Sequence, residues 1–201
     1  ASFLLRPYIQ LGGYLMLIAG IILIISAFIF KPVLKESDKE YLEKFRTFLG
    51  SNHKIYKDSS RPMCYICITL QEHTVKKLEE YGIVPRKTLI INPPDYLFEN
   101  RHFLRGCIDG DGSLGIDNRG RPRISFTSGS KMFIEKICKK FNEITGSKVN
   151  VGQHGNNKYA IGYACRKAYK IIKYLYKDVP DHMVLARKKA RAEEVFKIYD
   201  D

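Results

Sequence analysis

Hydrophobic and polar positions repeat along the body of the chain. Tyr41, Leu42, Phe45, Phe48 and Leu49 fall at helical spacing, and so do Phe133, Ile134, Ile137 and Phe141. The two stretches align at a shift of 92 residues, with Glu43-Lys44 opposite Glu135-Lys136. Both stop at a Gly-Ser pair, Gly50-Ser51 and Gly146-Ser147, a helix-ending signal. Behind each helix, alternation and turn residues predict a hairpin. One pairs His53–Tyr56 with Met63–Thr69 around residues 57–62, the other Val149–Gln153 with Tyr159–Cys165 around 154–158. A second helix is predicted after each hairpin, over Glu72–Tyr81 and Arg166–Tyr176. A strand, helix, hairpin and helix used twice predicts an α+β duplication rather than an alternating βαβ chain. The expected organisation is a hydrophobic segment over 1–30, a first half over 31–98 and a second half over 99–201.

The hydrophobic segment changes the picture at its end of the chain. Leu11 to Phe30 is a run of twenty uncharged residues followed by Lys31 and Pro32. A helix of about 20 apolar residues crosses a bilayer's hydrocarbon core. Length alone leaves two readings open: a membrane span, or a buried helix followed by a buried strand at Ile21–Ile25. In the first, Lys31, Lys35 and Lys39 place the body in the cytoplasm, anchored by an N-terminal hydrophobic helix.

Charge then narrows the partners. The 201 residues carry Lys+Arg 34 against Asp+Glu 21, a net +13, and residues 1–30 hold one charge, Arg6. The body therefore carries +12, which points to a polyanion, nucleic acid before anionic membrane. With 27% charged and 45% hydrophobic residues the chain is not a disordered one. Five cysteines, Cys64, Cys67, Cys107, Cys138 and Cys165, are an odd number without framework spacing, which indicates an intracellular, reducing compartment. Cys64 and Cys67 form a single C-x-x-C with no second pair, and strand alternation sends their sulfurs to opposite faces, so a zinc site is not expected.

The chemistry concentrates in HFLRGCIDGDGSLGI, residues 102–116. Phe103, Leu104, Cys107 and Ile108 make an apolar helical face, and Gly106 and Gly110 sit four apart, where small residues let two helix backbones approach. Asp109, Asp111 and Gly112 end the helix and lead into a strand. Carboxylates at a helix C-terminus oppose its dipole. Two of them there call for a compensating cation, and oxygen ligands suit a hard metal such as Mg²⁺.

Leu104-Arg105-Gly106-Cys107-Ile108-Asp109-Gly110-Asp111-Gly112 resembles the nine-residue signature of the LAGLIDADG homing endonucleases, departing from it at Arg105, Cys107 and Gly110. The resemblance extends over about residues 34–196 and includes YGIVPRKTL (81–89), RISFTSGSK (123–131) and LARKKA (185–190). It implies two pseudo-symmetric halves whose antiparallel sheets form a saddle over double-stranded DNA, with two signature helices packed at the centre. It also implies a divalent-metal ligand at the eighth motif position, here Asp111, with Asp109 supporting the helix end. A basic residue near each site is Lys87 in one half and Lys188 in the other, polarising water or stabilising charge in a metal-assisted phosphodiester hydrolysis. For Lys188 the plain alternative is a solvated basic helix face with Arg187, Lys189 and Arg191.

The first half breaks the pattern. A shift of 92 sets GGYLMLIAG (12–20) opposite the signature, and a looser alignment sets IAGIILIIS (18–26) there. Neither contains a carboxylate, and no Asp or Glu precedes Glu36. One metal-ligand position of two is therefore empty. The expected outcomes are a nicking or impaired endonuclease, a second chain whose Asp111 completes the site in a homodimer, or a non-catalytic binder of DNA or RNA of the maturase or regulator kind. A membrane-tethered inactive relic is the remaining alternative. Candidate nucleic-acid contacts are Lys54, Tyr56, Lys57 and Arg61 in the first half. In the second they are Arg119, Arg121, Arg123, Lys148, Gln153, His154, Asn156, Lys158 and Arg166.

Overall fold

A computed structural model of the chain describes residues 29–30, 33–48, 52–69, 76, 79–80, 89–181 and 184–200. In the first half, β1 (Ile29–Phe30) pairs with β5 (Ile68–Thr69), and β2 (Val33–Lys35) pairs with β4 (Met63–Ile66). One antiparallel register runs through both pairings, from Ile29 opposite Thr69 to Lys35 opposite Met63. On the other side of β4 lies β3 (Ile55–Lys57), completing the order β2-β4-β3. Helix α1 (Lys39–Phe48) follows β2 and buries Tyr41 and Leu42.

The second half repeats this plan with the signature helix in place. Its elements are α2 (Arg101–Asp111), β6 (Gly112–Ile116), β7 (Pro122–Ser128), α3 (Lys131–Thr145), β8 (Gly152–Gln153), β9 (Tyr159–Ala164) and α4 (Cys165–Tyr176), then α5 (Ala186–Tyr199). The sheet order is β6-β7-β9-β8, all antiparallel. Thus β2, α1, β3 and β4 answer to β7, α3, β8 and β9. Helices α1 and α3 begin at Lys39 and Lys131, 92 residues apart as the hydrophobic pattern predicts. The α+β duplication with two antiparallel sheets is the architecture of the chain. The hairpin strands and the helix at Arg166–Tyr176 lie where the alternation and turn residues place them. The helix predicted at Glu72–Tyr81 and the stop at Gly50-Ser51 fall largely outside the described residues.

Local chemistry explains the second half's boundaries. Asn100 caps α2 by accepting from the His102 N–H at 2.8 Å, and Ser130 caps α3 by accepting from the Phe133 N–H at 3.4 Å. Helix α3 ends at Gly146, whose φ of +69° is left-handed and costs glycine little. Side chains of α2 (Phe103, Leu104, Ile108), α3 (Ile134, Ile137, Phe141) and α4 (Ile171, Ile172, Leu175) bury against Ile124, Phe126 and Ile161 of the sheet. Each such side chain contributes about 1.5–3 kcal/mol of burial.

Two reciprocal contacts join the halves. Ser130, at the head of α3, donates to the Ile91 carbonyl at 2.8 Å. Asp38, 92 residues earlier at the head of α1, accepts from the Arg187 Nε at 3.0 and 3.1 Å, near the start of α5. Each half's helix head touches the segment that trails the other half, as a pseudo-two-fold arrangement requires.

The N-terminal apolar run is corrected at its end. Ile29 and Phe30 are strand, paired with Thr69 and Ile68 in a two-stranded sheet, so a single helix from Leu11 to Phe30 is not present. The remainder of that run, with both candidate positions for the first signature helix, lies outside the described residues. Among the described residues no helix is long and apolar enough to cross a membrane.

Candidate functional site

Helix α2 carries the site because its sequence is amphipathic in an unusual way. Its buried residues include not only Phe103, Leu104, Cys107 and Ile108 but Arg105 and Asp109, each 1% exposed. Asp109 accepts a hydrogen bond from the Tyr176 hydroxyl at 2.6 Å and one from the Leu185 N–H at 3.4 Å. It thereby ties α2 to the end of α4 and to the head of α5, the supporting role the motif implies. Arg105 donates to the Leu175 carbonyl at 3.3 Å. Desolvation pushes the Asp109 carboxyl up to about 6 against the pull of Tyr176, Lys188 and Arg105, so it is ionised at neutral pH.

The cation that the acidic helix end requires is built into the chain. Lys188 is 5% exposed, and its Nζ donates to the carbonyls of Asp109 at 2.9 Å and Gly112 at 2.8 Å, and also to that of Ile108. Desolvation pushes its ammonium down to about 8, which leaves it protonated at pH 7. The solvated-face reading of Lys188 is therefore wrong: its position on α5 faces inward, and its three donors go to backbone oxygens at the end of α2. Its neighbours Arg187, Lys189 and Arg191 do hold ion pairs, with Asp38, Asp181 and Glu194. Lys87, its counterpart in the first half, lies outside the described residues.

Asp111 is the last residue of α2 and is exposed, unlike Asp109. The chain turns at once into β6. Gly112 makes that turn possible: a Cβ there would stand 2.7 Å from the Ile108 Cα and 2.8 Å from its carbonyl oxygen. Both are backbone atoms of the helix it leaves. Gly112→Ala is expected to destabilise the protein by about 1–3 kcal/mol in a urea titration, the range of overpacking in a rigid site. An unchanged midpoint would show that the helix end yields.

His102 opens the same helix among cations. Burial, then Arg105 and Arg101, push its imidazole down from 6.5 to about 4, and its Nδ1 has no partner among the described residues. The folded value lies below the unfolded one. Its stabilising contribution is therefore present above pH 6.5 and lost as pH falls through about 4. His102→Gln is expected to flatten the acid side of the stability profile over that window, measured by urea unfolding at successive pH values. Parallel profiles would refute it.

The solvent face of the second sheet begins where Asp111 ends. Arg121 and Arg123 lie on it, both ion-paired to Asp117, and Arg119 is exposed in the same turn. His154 lies over Gly152 on that face, 3.3 Å from where a Cβ would stand, while Lys158 and Arg166 are exposed nearby in the chain. Two candidates fall elsewhere. Gln153 pairs with Tyr159, whose ring packs on the core, so its register sets it on the helix side of the sheet. Lys148 lines that same side, beside Lys139 and Asn142. In the first half, Tyr56 is exposed, stacks on Tyr65 at 5.5 Å and lies under the Lys54 ammonium. Lys57 is exposed but ion-paired to Glu36, and Arg61 to Asp58 at 3.2 Å. Sequence reasoning missed Asp117 and Tyr176. Asp117 carries a signal, an acidic residue amid three arginines at a turn, whereas Tyr176 reads only as helix core.

Of the two motif carboxylates only Asp111 is exposed. Asp109 is occupied by Tyr176 and Leu185, and the Gly112 carbonyl by Lys188. Among the described residues no three His, Cys, Asp or Glu side chains come together as a metal set. Asp111, at the surface, is of the type that takes an ion such as magnesium, which keeps several waters and takes other ligands from phosphate. The five cysteines are free thiols, Cys64 buried and Cys67 only partly so.

Residues 99–160 match the family model described as a LAGLIDADG-like domain. The chain has the fold of the LAGLIDADG structures, and residues 99–160 are similar to a LAGLIDADG-like domain. The homing endonuclease I-WcaI, solved bound to its DNA recognition sequence, superposes with a TM-score of 0.62 at 18% identity, over 92% of this chain and 85% of that one. The N-terminal LAGLIDADG domain of DUF199/WhiA superposes with a TM-score of 0.53 at 13% identity, over 84% and 81%. A variant of I-DmoI, in complex with its target DNA in the presence of 2 mM Mg, gives 0.53 at 13% identity, over 83% and 97%. No curated protein matches the sequence.

Proposed function

We propose that this protein binds double-stranded DNA across its two sheets and hydrolyses one phosphodiester strand in a magnesium-dependent reaction centred on Asp111. The observation that carries the reading is the placement of Asp111. It is an exposed carboxylate at the end of a buried helix, one residue before the sheet whose open face bears Arg121 and Arg123. Magnesium, when bound, supplies charge neutralisation at the phosphate. Asp111 holds it, Lys188 and Asp109 fix the helix end that presents Asp111, and the arginines hold the duplex beside it. Likeness to DNA-bound endonucleases supports the partner, and the free cysteines suit a reducing compartment.

With one such carboxylate among the described residues, the expected product is a nick. Double-strand cleavage requires a second chain. Supercoiled plasmid with Mg²⁺ is expected to yield nicked circles, and EDTA to stop it. Plasmid left intact while the duplex is still bound would favour the second reading, a non-catalytic binder, which the lack of a clustered metal set among the described residues supports. Binding itself is expected to be salt-dependent. A labelled duplex pool should lose about 10³-fold in affinity between 50 and 200 mM salt, as counterions are released from roughly six phosphates. A flat response would remove the electrostatic basis of the reading.

A further inference from the structure

We propose that the second sheet reads its half of the duplex through two arginines, Arg121 and Arg123, which Asp117 holds in place to recognise guanine. The proposal rests on the DNA reading above and names the base chemistry of one of its two faces. The outward rows of this sheet follow from its register. They are Gly115, Arg123 and Ala164; then Ser113, Ser125 and Gly162; then Thr127, Ala160 and Gly152. Of these nine, only Arg123 has a side chain long enough to reach a base edge. A Cβ at Gly115 or Gly162 would meet nothing within 4 Å, and the floor is an open groove of about 520 Å³. Within these strand rows discrimination therefore falls to Arg123 and to Arg121 beside it at the turn, with His154 over Gly152 at the far edge.

Asp117 orients both. Its Oδ1 accepts from the Arg119 and Arg121 N–H groups at 2.9 and 3.0 Å, which shapes the turn. Its Oδ2 accepts from Arg121 Nε at 3.0 Å and Arg123 Nε at 3.1 Å, with the two Nη2 atoms at ion-pair distances of 2.9 and 3.0 Å. One carboxylate thus fixes one edge of two guanidiniums and leaves a net positive charge. The Nη1 group of neither arginine bonds to any described residue. That outer edge is the fork that pairs with guanine O6 and N7 in the major groove. Because the side chains are ordered before binding, less rotamer freedom is lost on contact. The bonds to Arg119 and Arg121 N–H give Asp117 a structural role as well, so the two roles must be separated. Asp117→Asn keeps an amide oxygen for the turn and removes the charge that holds the guanidiniums.

The test is selection of bound duplexes from a randomised library by the full chain, as wild type, Asp117→Asn and Arg123→Lys. Affinities are then measured for the enriched duplex and its single-base changes. The wild type is expected to enrich an invariant guanine whose replacement by adenine weakens binding about tenfold. In Asp117→Asn and Arg123→Lys that ratio should fall to about threefold or less, each ratio being taken within one variant so that a change in overall affinity does not enter it. Arg123 is exposed, so Arg123→Lys reports even if Asp117→Asn unfolds. Enriched duplexes without an invariant guanine would overturn the assignment, and so would an undiminished ratio in Arg123→Lys. Failure of the wild type to enrich any duplex would overturn the DNA reading itself and the guanine assignment with it.

Discussion

Asp111→Asn is expected to bind duplex DNA as the wild type does and to lose magnesium-dependent nicking altogether. The substitution keeps shape and removes one charge from an exposed position, so folding should survive. Relief of a carboxylate at the C-terminal end of α2 adds about 0.3–1 kcal/mol of stability. Affinity for the duplex should hold because the body's net +12 is raised rather than lowered. Nicking should vanish because an amide does not hold a hard cation against water, and Asp109 is not free to substitute. The measurement is plasmid nicking with Mg²⁺ beside a gel-shift titration of the same preparations. Residual nicking at the wild-type rate would mean that another acidic group, outside the described residues, serves the site. Efficient double-strand cleavage by a proven monomer would mean the same.

Lys188→Met is expected to cost about 3 kcal/mol, near the low end of the range for removing one partner from a buried charged network. The side chain keeps its length and loses its charge. The carbonyls of Asp109 and Gly112 lose the ammonium that donates to them, and Asp109 loses a compensating cation. Lys188→Arg should not restore stability, because a planar fork does not converge on three carbonyls as an ammonium does. Adding Asp109→Asn to Lys188→Met should recover part of the loss, since the stranded charge is then gone. Urea denaturation of the single and double variants checks this. A cost below about 0.5 kcal/mol would return Lys188 to the status of a surface residue.

These two expectations separate two acidic residues that stand two apart in the motif. In the linear chain Asp109 and Asp111 look equivalent, both carboxylates near a helix end. Helical geometry turns Asp109 inward to meet Tyr176 and leaves Asp111 at the exit into β6. Burial separates the two: Asp109 is 1% exposed inside the fold and Asp111 stands at the surface.

The sequence by itself determined the duplication. Helical spacing repeated at 92 residues, alternation around turn residues, and Gly-Ser stops are local signals, readable because each reflects the period of one element. It also determined where chemistry concentrates, since two aspartates between glycines at a helix end are rare enough to stand out. It did not determine what neutralises them. Lys188, about 80 positions along the chain, brings its ammonium to the carbonyls of that end. Nor could alternation show that Gln153 faces the helices, because a side chain's face depends on its register against Tyr159. Hydropathy is blind to pairing, so the apolar run leaves a membrane span and a buried helix followed by a strand both open, and Ile29 and Phe30 are strand beside residues 68 and 69. Partnership came from the folded chain: the cation for the helix end, the carboxylate for two arginines, the strand for an apolar tail. Each joins groups whose distance in space bears no relation to their separation in sequence.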